Sequence, residues 1–227
     1  MPTRDSADEA LEDEYVQAAI QRGIISVSES RVTYNLNQRK RYQWTDPEEW
    51  VRARSIAFLV IARGYPANRL RTEVNVPRRT PNDFADIVVY RDDRCQEPYL
   101  VVENKAANQR VSDRKQGIEQ AFGNANSLRA PMCLYDEFSE SSLFDLESHP
   151  PTERVNNLIG DRESIPRQYG DVPTYRFVAG GATDVDAVKS SVLESRVRRA
   201  HSVIWSGGRR DPFTSFDEWS KLLFAKA

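Results

Sequence analysis

Asp86, Glu103 and Lys105 are the residues whose types and spacing can do chemistry. Asp86 stands in the apolar run Phe84-Ala85-Asp86-Ile87-Val88-Val89-Tyr90, and Glu103 and Lys105 close the run Tyr99-Leu100-Val101-Val102-Glu103-Asn104-Lys105. The intervening Asp92–Pro98 segment is turn chemistry. An antiparallel hairpin around it sets Tyr90 against Tyr99, Val88 against Val101 and Asp86 against Glu103. Directly opposed residues have Cβ atoms roughly 4.5–5.5 Å apart. Side chains alternate along a strand, so Glu103 and Lys105 share a side while Asn104 points away. Opposed carboxylates destabilise a sheet unless a cation compensates. Lys105 supplies part of that charge, and a hard divalent ion, Mg²⁺ or Mn²⁺, would supply the rest through oxygen ligands. Such an ion acidifies a bound water and neutralises charge developing on a phosphodiester, with Lys105 orienting or helping to deprotonate that water. Charged residues are usually avoided within apolar strands. The plainer alternative is a hairpin carrying a surface salt bridge, because Asp…Glu-x-Lys is a loose pattern.

The elements that must position these groups are legible around them. Thr45-Asp46-Pro47-Glu48 reads as a capping box with Thr45 as N-cap and Glu48 at N3, opening a helix that runs through Trp50, Ala57 and Ile61 to Gly64. A strand is expected at Leu70–Val76, then the two strands of the hairpin, a helix over Val111–Arg129, and strands at Pro131–Tyr135 and Ser142–Leu146. This order predicts an α/β domain with a mixed sheet flanked by helices. Before it, residues 1–44 hold an amphipathic helix at Asp8–Arg22 and alternating stretches, Val32–Leu36 and Arg41–Trp44, that suit a hairpin or arm. After it, residues 147–174 read as a long loop. Tyr175–Val178 suits an edge strand, Asp184–Trp205 a long helix, Gly207–Pro212 a turn, and Phe216–Lys226 a helix.

Composition excludes several function classes. The chain has 227 residues, of which 39 % are hydrophobic and 29 % charged, ordinary for a protein that buries a core. No apolar run approaches the ~20 residues a membrane span needs. The acidic Met1–Glu14 segment is no secretory signal, so cytoplasmic residence without membrane association is the expectation. Cys95 and Cys133 build neither a disulfide framework nor a zinc cluster, and His149 and His201 lack an HExxH context. Arginines number 26 against 6 lysines, in clusters such as Arg39-Lys40-Arg41, within a net charge of −2. Arginine suits bidentate phosphate contact, although such clusters also reflect genome composition. There is no phosphate-binding GxxxxGK[ST] loop and no nucleophilic Ser or Cys motif.

Four segments in order, Thr45-Asp46-Pro47-Glu48-Glu49-Trp50-Val51-Arg52, Arg71-Thr72-Glu73-Val74, Ala85-Asp86-Ile87-Val88-Val89-Tyr90 and Tyr99–Lys105, resemble one family. It is the N-terminal nuclease domain of type I restriction enzyme restriction subunits, within the PD-(D/E)XK superfamily, and the likeness covers roughly residues 45–146. The resemblance implies a restriction-endonuclease-like core at residues 45–180, with residues 181–227 as a C-terminal helical extension or linker. It implies a metal-dependent endonuclease hydrolysing double-stranded DNA. Asp86 and Glu103 would be metal ligands with the Asn104 backbone carbonyl, and Lys105 the catalytic lysine. Glu49, with Glu48 as the alternative, would be the supporting acid, and Gln120, with Gln116 as the alternative, the glutamine of the following helix. Methylase, specificity or motor subunits would be partners, since no motor or methylating motif lies in this chain. The sequence departs from the family where a tyrosine four residues after that glutamine is Asn124, where Pro-Asp is Ala85-Asp86, and where Glu-Cys-Lys is Glu103-Asn104-Lys105. The Asn104 side chain is expected to matter little. Two other readings are a catalytically silent DNA- or partner-binding module of a larger modification enzyme, and an RNA-processing or repair nuclease on the same fold.

Overall fold

The computed structural model describes residues 6–77, 83–149, 151–167 and 169, together with 194, 195, 197 and 198. The chain divides into two compact units, Met1–Thr183 and Asp184–Ala227. In the second, residues 194, 195, 197 and 198 are helical, and Arg198 pairs with Glu194 at 2.6 Å. The edge strand, turn and helices expected between 175 and 226 otherwise lie outside the described residues.

The first unit is α/β, with a six-stranded mixed sheet, a three-stranded antiparallel sheet and flanking helices. Where one N-terminal helix is expected there are two, α1 (Ala7–Glu12) and α2 (Glu14–Gln21). Asp13 separates them, because its extended backbone and its carboxylate cap the α2 amides of Tyr15 and Val16 at 2.9 and 3.0 Å. β1 (Ile25–Ser28), β2 (Arg31–Asn35) and β3 (Arg39–Gln43) then form a meander. The expected hairpin is β2–β3, with β1 an additional strand.

The next helix, α3 (Pro47–Ala57), starts one residue later than the capping box implies. Asp46 rather than Thr45 is the N-cap, its carboxylate accepting from the Glu48 amide at 3.0 Å. Pro47 opens the first turn, where a missing N–H costs nothing. The helix loosens into a π-helical turn at Phe58–Ala62, and Gly64 (φ +79°) turns the chain. The main sheet has the order β4-β5-β6-β7-β8-β9. Its strands are β4 (Leu70–Val76), β5 (Asp83–Tyr90), β6 (Pro98–Asn104), β7 (Met132–Asp136), β8 (Ser141–Asp145) and β9 (Leu158–Gly160). Only β6 and β7 pair in parallel, and the crossover between them is α4 (Val111–Leu128). The long loop expected at 147–174 holds β9 and short 3₁₀ turns at Pro151–Asn157 and Arg162–Ser164.

Alternation along the strands divides the core into two layers. Ile87, Val89, Leu100, Val102 and Leu134 pack against α3 and the N-terminal elements, whereas Val88, Tyr90, Val101 and Cys133 pack with Ala121, Phe122 and Ala125 of α4. The β5–β6 ladder pairs Ile87 with Val102, Val88 with Val101 and Val89 with Leu100, the expected register. It shifts at the turn, where Tyr90 opposes Pro98 instead of Tyr99. Alternation also slips across Asp86: Ala85 joins the α4-side layer although Ile87, two residues on, faces α3. Glu73, between the residues that pair with Ala85 and Ile87, has φ +46°. Asp86 lies at this distortion, opposite Glu73.

Candidate functional site

The C-terminal end of β6 is where the chemistry-bearing side chains meet. The described ladder ends at Ile87–Val102, one pair short of Asp86 and Glu103. Beyond it the two strands are joined through a side chain, the Asn104 amide donating to Asp86 Oδ2 at 2.8 Å. Lys105 Nζ donates to Glu103 Oε1 at 2.8 Å and lies 4.0 Å from Glu48 Oε1. Glu103 is 1 % exposed. Its carboxyl is pushed up to about 8, first by burial and then by the charge of Asp86, with Lys105 pulling the other way. Lys105 is itself held above its usual range by Glu103, Glu48 and Asp86 against the cost of burial. Asp86 thus lies within electrostatic reach of both.

α3 contributes more than a supporting acid. Its buried Arg52 spans two carboxylates, donating Nη1 to Glu49 and Nη2 to Asp86 Oδ1 at 2.5 Å. Asp86 therefore has one oxygen on a guanidinium and the other on a backbone amide. The opposite side of Arg52 rests on the Tyr42 ring, 5.1 Å from its centroid. Glu49 turns toward the three-stranded sheet, where Tyr34 Oη donates to its Oε2 at 3.0 Å. Burial pushes Glu49 up to about 7 in spite of Arg52. The two glutamates opening α3 thus face different partners, Glu48 toward Lys105 and Glu49 toward Arg52 and Tyr34.

The Asn104 side chain has more to do than the sequence suggests. Asn104 is fully buried, and its Nδ2 donates to Ser55 Oγ at 2.8 Å. Ser55 in turn donates to Asp136 Oδ2 at 2.9 Å. Asp136 closes the loop through its carbonyl, which accepts from the Lys105 amide at 3.0 Å. Arg162 lies 3.2 Å from the other Asp136 carboxylate oxygen. The Glu103-Asn104-Lys105 backbone is thereby tied to β5, α3 and β7 at once. Arg52, Ser55 and Asp136 escaped the sequence reading because each acts from a distant segment. The one signal for them is an ionisable or hydroxyl residue inside an otherwise apolar helix face or strand.

On α4, Asn124 donates Nδ2 toward Glu103 Oε2 at 3.4 Å, standing where the family's tyrosine would. Gln120 reaches Asp83 Oδ1 at 3.3 Å, and with Gln116 and Glu119 the two line a pocket of about 340 Å³. Neither glutamine has a hydrogen bond to Glu103 or Lys105 among the described residues. Two buried amide oxygens, Asn104 Oδ1 and Asn124 Oδ1, have no hydrogen-bond partner among the described residues. Such atoms ordinarily meet water or an ion. Among the described residues no three His, Cys, Asp or Glu side chains group as a metal cage, and no helix is long and apolar enough to cross a membrane. Cys95 and Cys133 are buried free thiols.

Residues 47–155, which carry this arrangement from α3 to the start of the last 3₁₀ turns, match the family profile described as type I restriction enzyme R protein N terminus (HSDR_N). The likeness is confined to this segment. No curated protein and no solved structure is a significant match to the chain. The R protein N-terminal segment spans α3, β4–β8 and α4, so every group around Glu103 apart from Tyr34, Tyr42 and Arg162 lies inside it. A restriction enzyme R subunit context points to a nuclease-type role in restriction-modification, beside DNA and other subunits.

Proposed function

We propose that this domain is a Mg²⁺- or Mn²⁺-dependent DNA endonuclease of the PD-(D/E)XK type within a restriction-modification system, hydrolysing phosphodiester bonds of double-stranded DNA. One observation carries the reading: Asp86, Glu103 and Lys105 converge at the C-terminal end of β6, inside the segment that matches the R protein N terminus. The donor set fits a hard cation. It offers carboxylate oxygens and the Asn104 carbonyl, around a buried glutamate starved of positive charge, with the unpaired amide oxygen of Asn124 on the side chain that meets Glu103. Asp86 and Glu103 would hold the ion, which when bound supplies an acidified water and charge neutralisation. Lys105, fixed by Glu103, orients the attacking water and places an ammonium beside the phosphorane-like charge. With a metal bound, Asp86 would be shared between it and Arg52, whose other partner is Glu49. Plasmid nicking tests this directly. Purified protein with Mn²⁺ or Mg²⁺ should convert supercoiled DNA to open circles, and Lys105→Ala should stop it; equal nicking by both sinks the assignment.

A second reading has its own support. Arg52 already neutralises Asp86 and Glu49, as expected of a catalytically silent domain kept for binding DNA or a partner subunit. Calorimetry with Mn²⁺ separates the two. The silent module gives no heat that depends on Asp86 and Glu103, while its DNA binding persists in chelator.

A further inference from the structure

We propose that the outer face of the β1–β3 sheet docks the sugar-phosphate backbone of duplex DNA, with Arg31, Arg39 and Arg41 as its phosphate contacts. The choice of DNA rests on the nuclease reading above, whereas the surface lies in residues 25–43, ahead of the family-matched segment.

The strand register sorts these residues by face. β3 reads Arg39-Lys40-Arg41-Tyr42-Gln43, and its burial alternates, with Arg39, Arg41 and Gln43 exposed and Lys40 and Tyr42 partly covered. The inward set is bound to the catalytic core. Lys40 Nζ donates to the carbonyls of Thr72 and Glu73 at 2.7 and 3.2 Å, and Tyr42 Oη meets Thr72 Oγ1 at 2.7 Å. On β2, Tyr34 reaches Glu49. Among the described residues the outward set has no comparable side-chain bond. Arg39 pairs across the sheet with Asn35, Arg41 with Thr33, and Arg31 with Gln43 and Ser28. All three guanidinium side chains therefore stand on one face, and none has an ion pair among the described residues. β1, β2 and β3 place no carboxylate on that face, in a chain whose acids outnumber its Lys and Arg by 34 to 32. Arg39 and Arg41 stand roughly 6.7 Å apart, two residues at the strand rise. The polyanion repeats its charge on a similar scale, and the planar fork of arginine matches phosphate oxygens in pairs. Asn35, Gln43 and Ser28 between them offer neutral donors of the kind that hold a backbone without reading sequence. An acidic protein surface is the competing occupant. A regular row of guanidinia flanked by neutral donors favours the periodic polymer. The sheet's other face is clamped to α3, so DNA held here is held at a set position relative to Glu103.

Fluorescence anisotropy of a labelled 30-base-pair duplex, in chelator so that no cleavage occurs, tests this. The variants are Arg39→Glu/Arg41→Glu and, as a charge-matched control, Lys115→Glu/Arg129→Glu, both exposed, on α4 and its cap, which pack on the other layer of the main sheet. Each neutralised phosphate contributes about 0.9 to the slope of log affinity against log salt. The β3 variant should weaken binding at least tenfold and flatten the slope by about 2. It should do so for any duplex sequence, with thermal stability unchanged, and the control should move both far less. Unchanged affinity and slope in the β3 variant, or equal losses in the control, overturns the proposal and leaves the face to an acidic protein partner. Binding is read in chelator and nicking with Mn²⁺, so loss of nicking cannot be mistaken for loss of docking.

Discussion

Taking the metal-free protein from about pH 5.5 to about pH 7.5 should cost it about 2–3 kcal/mol at Glu103 alone, since each pH unit in that interval is worth on the order of 1 kcal/mol. The cause is the environment of that carboxyl, 1 % exposed beside Asp86 and pushed up from 4.5 to about 8. In the unfolded chain Glu103 ionises near its ordinary value, while in the folded protein it keeps its proton until about pH 8. Between those values the folded state binds one more proton than the unfolded state, so stability falls as pH rises. Glu49, pushed up to about 7 by burial, adds loss in the same direction and over a similar window. The assay is thermal unfolding in chelator, comparing wild type with Glu103→Gln, which keeps the shape and the Lys105 contact but removes the titration. For a domain of this size 1 kcal/mol moves Tm by roughly 2–4 °C, so the wild type should lose roughly 5–10 °C more than the variant across that interval. Saturating Mn²⁺ should abolish the difference, since a bound cation keeps Glu103 ionised and expels its proton. Parallel pH profiles for the two proteins in chelator, or a wild-type Tm that climbs with pH, would refute the account of Glu103 as a proton-holding, charge-starved carboxylate.

Arg52→Met removes a buried cation from beside Asp86 and Glu49, so Mn²⁺ affinity by calorimetry should rise at least tenfold, about 1.4 kcal/mol. Metal-free stability should fall by about 3–5 kcal/mol, because two carboxylates are left without their partner; affinity that stays level counts against competition between Arg52 and the metal. Ser55→Ala breaks the bridge from Asn104 to Asp136 and should destabilise by about 1–3 kcal/mol. It should also weaken Mn²⁺ binding, an effect that Ser55→Thr restores and that a purely structural role would not produce. Gly117→Ala places a Cβ 3.0 Å from Tyr135 Cδ2 and closer still to its Cε2, on a ring whose hydroxyl is tied to Glu137 at 2.9 Å. Overpacking of this kind costs about 1–3 kcal/mol, and an unchanged Tm would mean that Tyr135 is free to move.

Local patterns made much of the fold legible. Leu70–Val76 and the apolar runs ending at Tyr90 and Asn104 are β-branched, bounded by Pro, Asp and Asn, and they form strands where periodicity puts them. Helix α4 is equally plain, although it ends at Leu128 and the expected last residue, Arg129, is a left-handed cap without the usual glycine. Three features were hidden because long-range geometry decides them. The β-bulge at Tyr90 depends on how the 92–97 turn closes. The slip of alternation across Asp86 depends on Glu73 of another strand. β9, a three-residue strand with a proline on either side of the surrounding loop, carries too little pattern to stand out. Within the site, Asp86, Glu103 and Lys105 were readable because β pairing relates them by simple counting. Arg52 was not, since its partner lies 34 residues away, and Asp136 lies 81 residues from the serine it holds. Asn104 was misread for the same reason: as a strand residue pointing away from Glu103 it looked idle, yet that direction leads to Ser55.

The balance of charge explains why these hidden residues belong with the visible ones. Glu48, Glu49, Asp86 and Glu103 form one chain of contacts through only two cations, Arg52 between Glu49 and Asp86 and Lys105 between Glu103 and Glu48. With every group ionised the cluster is two positive charges short, the charge of one divalent ion. The structure answers the shortfall by raising the carboxyls that are most deeply buried, so Glu103 and Glu49 hold protons where exposed glutamates would not. A surface salt bridge needs no such compromise, because water screens it. A domain retained solely to bind a partner gains nothing from four converging acids, any one of which could be replaced by a neutral residue at a profit in stability. On the metal-dependent reading proposed above, one dication would close that gap, and Arg52 would serve as the counter-ion that keeps the cluster folded without it.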